Sequence, residues 1–98
     1  MSEVLERRTV SRKTARDGKH EISPETAARL RALSLPIDVI VDGVADTATV
    51  VPMPCTCRPE PHEHWFIEAS ALRSLEAGCV AATSLASDGH TIDVQTVR

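Results

Sequence analysis

From Ile37 to Asp42 the chain alternates: Ile37, Val39 and Val41 interleave with Asp38, Ile40 and Asp42. A period of two predicts a strand with one face on a core, and Asp42-Gly43 predicts the turn that ends it. ATVV, from Ala48, is its expected antiparallel partner. Ahead of it, SPETAARLRAL predicts a short helix that stops before Pro36. Ser23 is an N-cap, Pro24 suits the first helical position, Glu25 suits the positive end of the dipole, and Ala27, Leu30 and Leu33 form an apolar stripe. KHEIS predicts a strand before that helix.

The second half has the same order. HWFIE reads as a strand and SALRSLEAG as a short helix from Ser70 closed by Gly78. CVAATSL is a strand of small residues and Asp88-Gly89 a turn. TIDVQTV is a closing strand with Ile92 and Val94 on one face. Each half thus reads strand, short helix, strand, Asp-Gly turn, strand. The expected fold is α+β, mainly β: one domain over residues 1–98, a small pseudo-symmetric barrel of two strand-helix-strand-strand units. The units span roughly residues 8–51 and 62–97, with a Cys/His hairpin at 52–66 inserted between them.

The stretch HEISPETAARLRALSLPIDVIVDG resembles the AbrB-type swapped-hairpin unit. Two such units in one chain resemble the two-repeat MraZ-like, cradle-loop barrel arrangement. Ala32-Leu33-Ser34-Leu35 stands where that pattern carries Leu-Gly, and the Cys/His hairpin is an addition to it. The resemblance implies a DNA-binding, regulatory or antitoxin-like role.

Composition narrows the picture. An apolar fraction of 42% excludes a disordered chain, and Trp65 and Phe66 are the only aromatic residues of the 98, so the core is built from Val, Ile, Leu and Ala. A domain this short of large side chains gains more from a staple such as a bound ion. The net charge of −3 hides an asymmetry. Arg7, Arg8, Arg12, Lys13, Arg16 and Lys19 outnumber Glu3, Glu6 and Asp17 in the first twenty residues, and the remainder is acidic. Such a segment is either a solvated strand or frayed end, or an arm for phosphates or an acidic partner. No apolar run reaches a membrane span, and the N-terminus lacks the apolar core of a secretory signal, so a cytoplasmic, thiol-reducing location is expected.

The strongest chemical signature is CTCRPEPHEHW, Cys55 to Trp65, which holds two of the three cysteines and two of the four histidines. If CTC and HEH are strands joined by Arg58-Pro59-Glu60-Pro61, residues whose numbers sum to 119 lie opposite each other, pairing Cys57 with His62 and Cys55 with His64. Alternation then puts all four side chains on one face. Two thiols and two imidazoles on one patch predict a Cys2His2 tetrahedron for structural Zn2+, with copper(I) as the next candidate. Met53 and Phe66 would flank it. Cys55 and Cys57 are alternatively a redox or disulfide pair, and His62 and His64 alternatively solvated surface. Four donors close the coordination shell, and Glu63 points off the patch, so the expected site is structural and the protein not an enzyme.

Cys79 is expected to be a small buried hydrophobe, and His20 and His90 surface residues. Trp65 is a candidate partner anchor if exposed. The expected function is therefore a non-enzymatic, zinc-stabilised binding module with Cys55, Cys57, His62 and His64 on the metal. Arg7, Arg8, Arg12, Lys13, Arg16 and Trp65 are its candidate contacts to DNA or a protein. A protein–protein adaptor and a small metal-handling or thiol-redox protein are the alternatives.

Overall fold

The computed structural model describes residues 2–34, 36–55, 59, 60 and 62–97. Its elements, in chain order, are β1 (Glu3–Thr9), α1 (Arg12–Asp17), β2 (Lys19–Ile22), α2 (Pro24–Arg31), β3 (Ile37–Val41), β4 (Val44–Cys55), β5 (His62–Glu68), a 3-10 turn (Ser70–Ser74), β6 (Val80–Leu85) and β7 (Thr91–Val97). The strands form one curled sheet, a half-barrel, in the order β1-β6-β7-β3-β4-β5-β2. All neighbours are antiparallel except β3 and β7.

Local chemistry accounts for most of these elements. Ser23 is extended, and its Oγ accepts from the Thr26 N–H at 3.2 Å, which starts α2 with Pro24 in the first turn. Ala27 and Leu30 bury the predicted stripe. β3 is buried at every second residue, Ile37, Val39 and Val41. The β3–β4 hairpin turns on Asp42 and Gly43, at φ 45° and 87°, between Val41 and Val44. A two-residue turn with both central φ positive matches the twist of the flanking strands, and Asp-Gly adopts it at low cost. The Asp42 carboxylate also accepts from the Thr96 N–H at 2.8 Å and the Thr96 hydroxyl at 2.7 Å, tying the turn to β7.

The concave face holds the core. Val39, Val41, Ile67, Ile92 and Val94 come from the sheet, Leu30 from α2, and Leu72 and Leu75 from the 3-10 turn and its end. The segment after β5 is a 3-10 turn ending at Ser74, not a helix running to Gly78. Leu72 and Leu75 are three apart and both buried, and three residues per turn stacks them on one side. Its start has no side-chain cap of its own; Asp46 Oδ2, from β4, accepts from the Ala71 N–H at 2.8 Å instead.

The N-terminal segment is built into the sheet. β1 pairs with β6, with Arg8 opposite Ala81 and Thr9 opposite Val80. α1 follows, capped by Ser11 and ended by Gly18 at φ 72°. β1 and β2 are the two edges of the half-barrel, and side chains of β1 reach both β2 and the start and body of α2. Glu6 Oε1 accepts from the Ser23 N–H at 2.8 Å, Glu3 and Arg29 form a two-bond fork at 2.8 and 3.1 Å, and Arg8 Nη1 lies 3.4 Å from Glu21 Oε2. Burial acts to raise the Glu6 carboxyl, but hydrogen bonds from Thr26, Ser23 and Arg8 outweigh it and hold the group below its ordinary value.

His20 corrects an expectation: it is 1% exposed, not a surface residue. β2 turns His20 and Ile22 to the core, opposite Ile67 and Trp65 of β5. The Thr14 hydroxyl donates to the Lys19 carbonyl at 2.9 Å, so it serves as acceptor toward His20 Nδ1 at 3.4 Å. His20 Nε2 has no hydrogen-bond partner among the described residues. Burial lowers this imidazole's pKa from 6.5, aided by Arg8; Glu6 and Glu21 oppose the shift without reversing it. The folded state therefore keeps His20 neutral where the unfolded chain takes up a proton. Its contribution is complete above pH 6.5 and is lost as the pH falls below it. The His20 share of the unfolding free energy, measured by urea denaturation, should fall between pH 7.5 and 5.5 by no more than about 1.4 kcal/mol per pH unit, while the raised His64 pKa acts in the opposite direction. A His20→Gln variant should lose this fall relative to wild type, and an identical pH profile in the two proteins would assign the effect to other groups.

Candidate metal centre

β4 is shared between two partners. Val44 to Ala48 pair with β3, and Thr49 to Cys55 pair with β5. Beyond Ala48 the far edge of β4 has no β3 residue beside it, which is where a strand tolerates Pro52 and Pro54. Their missing N–H groups also blunt that edge against a further strand. The exposed prolines alternate with half-buried Val51, Met53 and Cys55 on the opposite face.

The hairpin register differs from the expected one. Cys55 lies opposite His62 and Met53 opposite His64, so paired numbers sum to 117 rather than 119. The reason lies in the core. This register sets buried Val50 against buried Ile67, whereas the other would set exposed Pro52 against Ile67. A shift of two keeps every side chain on its face. Cys55, His62 and His64 therefore still converge. Their ligand atoms all lie within 4.8 Å of one another, and the two imidazoles meet edge to face with centroids 5.0 Å apart. In a tetrahedral zinc site, donors at Zn–S ~2.3 Å and Zn–N ~2.0 Å are separated by about 3.3–3.6 Å. Cys57, the fourth expected ligand, lies outside the described residues.

A third strand contributes to this face. Glu21 of β2 sits opposite Phe66, and its Oε2 is 2.9 Å from His64 Nδ1. His62 Nδ1 is 3.3 Å from the Glu60 carbonyl. Hydrogen bonds to Glu21 and then to Cys55 raise the His64 pKa above its ordinary value. Met53 lies opposite His64 and Phe66 opposite Glu21, and Lys13 Nζ lies 3.6 Å from Met53 Sδ and 4.9 Å from the Phe66 ring centroid. Beside the hairpin is a cavity of about 300 Å3 lined by Arg8, Glu21, Ser23, His62, His64 and Trp65.

The other expected contacts are distributed. Arg8 pairs with Glu6 at 3.1 Å and with Glu21, Arg16 pairs with Asp17 at 3.0 Å, and Lys13 is turned onto Met53 and Phe66. Arg7 and Arg12 are exposed. Trp65 is half-buried with the Arg31 guanidinium 4.4 Å above its ring, and Phe66 is buried. Cys79 is half-buried just ahead of β6, and His90 is exposed beside Asp88. Sequence reasoning passed over Glu21. Glu21 lies between His20 and Ile22 in β2, and nothing local names β5 as the strand beside it.

No described helix is long and apolar enough to cross a membrane. No protein-family model matches the chain, and no curated protein or solved structure matches it significantly.

Proposed function

We propose that this protein is a non-enzymatic binding module whose β4–β5 hairpin is clamped by Zn2+ on Cys55, His62 and His64, with Cys57 as the fourth donor. The observation that carries this reading is the convergence of one sulfur and two imidazoles within 4.8 Å on a single sheet face. One thiolate and two imidazoles form a borderline-soft set that suits zinc, and a second thiolate closes the tetrahedron. A closed shell leaves no position for a reacting water, which is the basis for reading the ion as structural. The repeated element order supports treating the half-barrel as two related units around this clamp. Nucleic acid is the partner implied by the AbrB-type resemblance, with exposed Arg7 and Arg12 as its first contacts.

The test is the metal content of protein purified without chelators. One zinc per chain is expected, falling to well under a tenth in Cys55→Ala and His64→Ala. Copper in place of zinc would change the identity of the ion. No transition metal in folded wild-type protein, even after incubation with excess Zn2+, would overturn the reading.

A further inference from the structure

We propose that Glu21 is a positioning residue of this metal site: its carboxylate holds His64 by Nδ1, assigns Nε2 as the ligand atom, and ties the centre to strand β1. The inference rests on the zinc reading above and adds to it a residue from another part of the chain.

Three observations carry it. The first is the contact itself, 2.9 Å between Glu21 Oε2 and His64 Nδ1. A carboxylate at that position accepts the Nδ1 proton, fixes the tautomer and ring plane, and makes the other nitrogen a stronger donor. The second is placement. Glu21 lies opposite Phe66, one alternation along from His64, so the register of β2 on β5 brings the carboxylate to the Nδ1 edge of the ring. The third is that Glu21 is itself held. Arg8 Nη1 is 3.4 Å from the same Oε2, Arg8 Nε donates to Glu6 Oε2 at 3.1 Å, and Glu6 Oε1 accepts from the Ser23 N–H at 2.8 Å. The chain His64, Glu21, Arg8, Glu6, Ser23 runs from the metal face across the gap between β1 and β2 to the start of α2.

Exposure separates this role from a merely structural one. The side chains of Glu21 and His64 are both 36% exposed, and an ion pair that wet contributes little to the fold by itself. Removing the carboxylate should therefore move the melting temperature of metal-free protein by less than about 5 °C. Its effect on metal affinity should be larger, about 10–100-fold, as is typical when the outer partner of a ligating histidine is lost.

The experiment is Co2+ titration of metal-free wild type, Glu21→Ala and Glu21→Gln, followed by the d–d and thiolate-to-cobalt absorption bands. Tight binding by wild type, the weakest binding by Glu21→Ala and an intermediate affinity for Glu21→Gln, which keeps an acceptor without the charge, is the expected result. Equal affinities in all three would overturn the role of Glu21 and leave the metal site standing. A wild type that develops no cobalt bands would remove the site and this inference together. A variant that lost only fold stability would melt lower without metal, yet its folded fraction would bind Co2+ with unchanged affinity.

Discussion

If the β4–β5 hairpin holds Zn2+ as proposed, chelation is expected to lower the melting temperature by at least about 10 °C. An ion present at a hundred to a thousand times its dissociation constant stabilises the folded state by about 2.7–4.1 kcal/mol. In a domain of this size each kcal/mol moves the midpoint by about 4–8 °C. The structure concentrates this dependence on the end of the β4–β5 hairpin. Cys55 and His62 are its last pair among the described residues, and the far edge of β4 there lacks a neighbour from β3. With two aromatic residues in the whole chain, little large apolar surface is at hand to replace the clamp. Differential scanning fluorimetry with and without EDTA, on wild type and Cys55→Ala, checks this. The variant should melt low and ignore EDTA. A wild type equally indifferent to EDTA would show that the ion contributes nothing to the fold.

Gly18→Ala should cost about 3 kcal/mol or more, comparable to removing the metal. Gly18 ends α1 at φ 72°, where an L side chain is disfavoured by about 1–2 kcal/mol. A Cβ there would also stand 2.6 Å from the Ala69 carbonyl oxygen, a backbone atom. That carbonyl cannot swing aside, because the Ala69 N–H donates to the Gly18 carbonyl at 3.0 Å and the Leu72 N–H donates back to Ala69 at 3.1 Å. The strain passes to the 3-10 turn that carries Leu72, a core side chain. Gly43→Ala is the control. Gly43 has φ 87° but nothing within 4 Å of its Cβ position, so only the backbone preference is lost, about 1 kcal/mol. Urea denaturation of both variants measures the difference. Equal losses would mean that Ala69 yields to the added methyl.

The elements that could be read from the chain were those whose signals are local. Ser23-Pro24-Glu25 announces a helix start through its own hydroxyl and ring. Ile37 to Val41 and Ile92 with Val94 announce half-buried strands by period. Asp42-Gly43 announces a two-residue turn because few other pairs accept two positive φ angles. Signals of the same kind, Ser11 and Gly18, bound α1, but the charges between them read as a solvated strand, a frayed end or an arm. The burial of His20 is hidden in the sequence for a related reason. A polar residue between a lysine and a glutamate looks solvated until β2 is laid on β5 and its face is set by Ile22 and Ile67.

For the candidate site, the sequence alone determined which residue types crowd into ten positions and, through the period of two, that His62 and His64 share a face, joined by Cys55 in any hairpin register that pairs odd with even positions. That follows from strand geometry and survives a register change of two. The tertiary structure decided what depends on long-range pairing. Packing of Val50 against Ile67 chose the register, and adjacency of β2 to β5 brought Glu21 to His64. Curling of the sheet brought Arg8 and Glu6 across to β2. A side chain's own face is a property of its strand, but its neighbours on the next strand are chosen by the burial of the whole sheet.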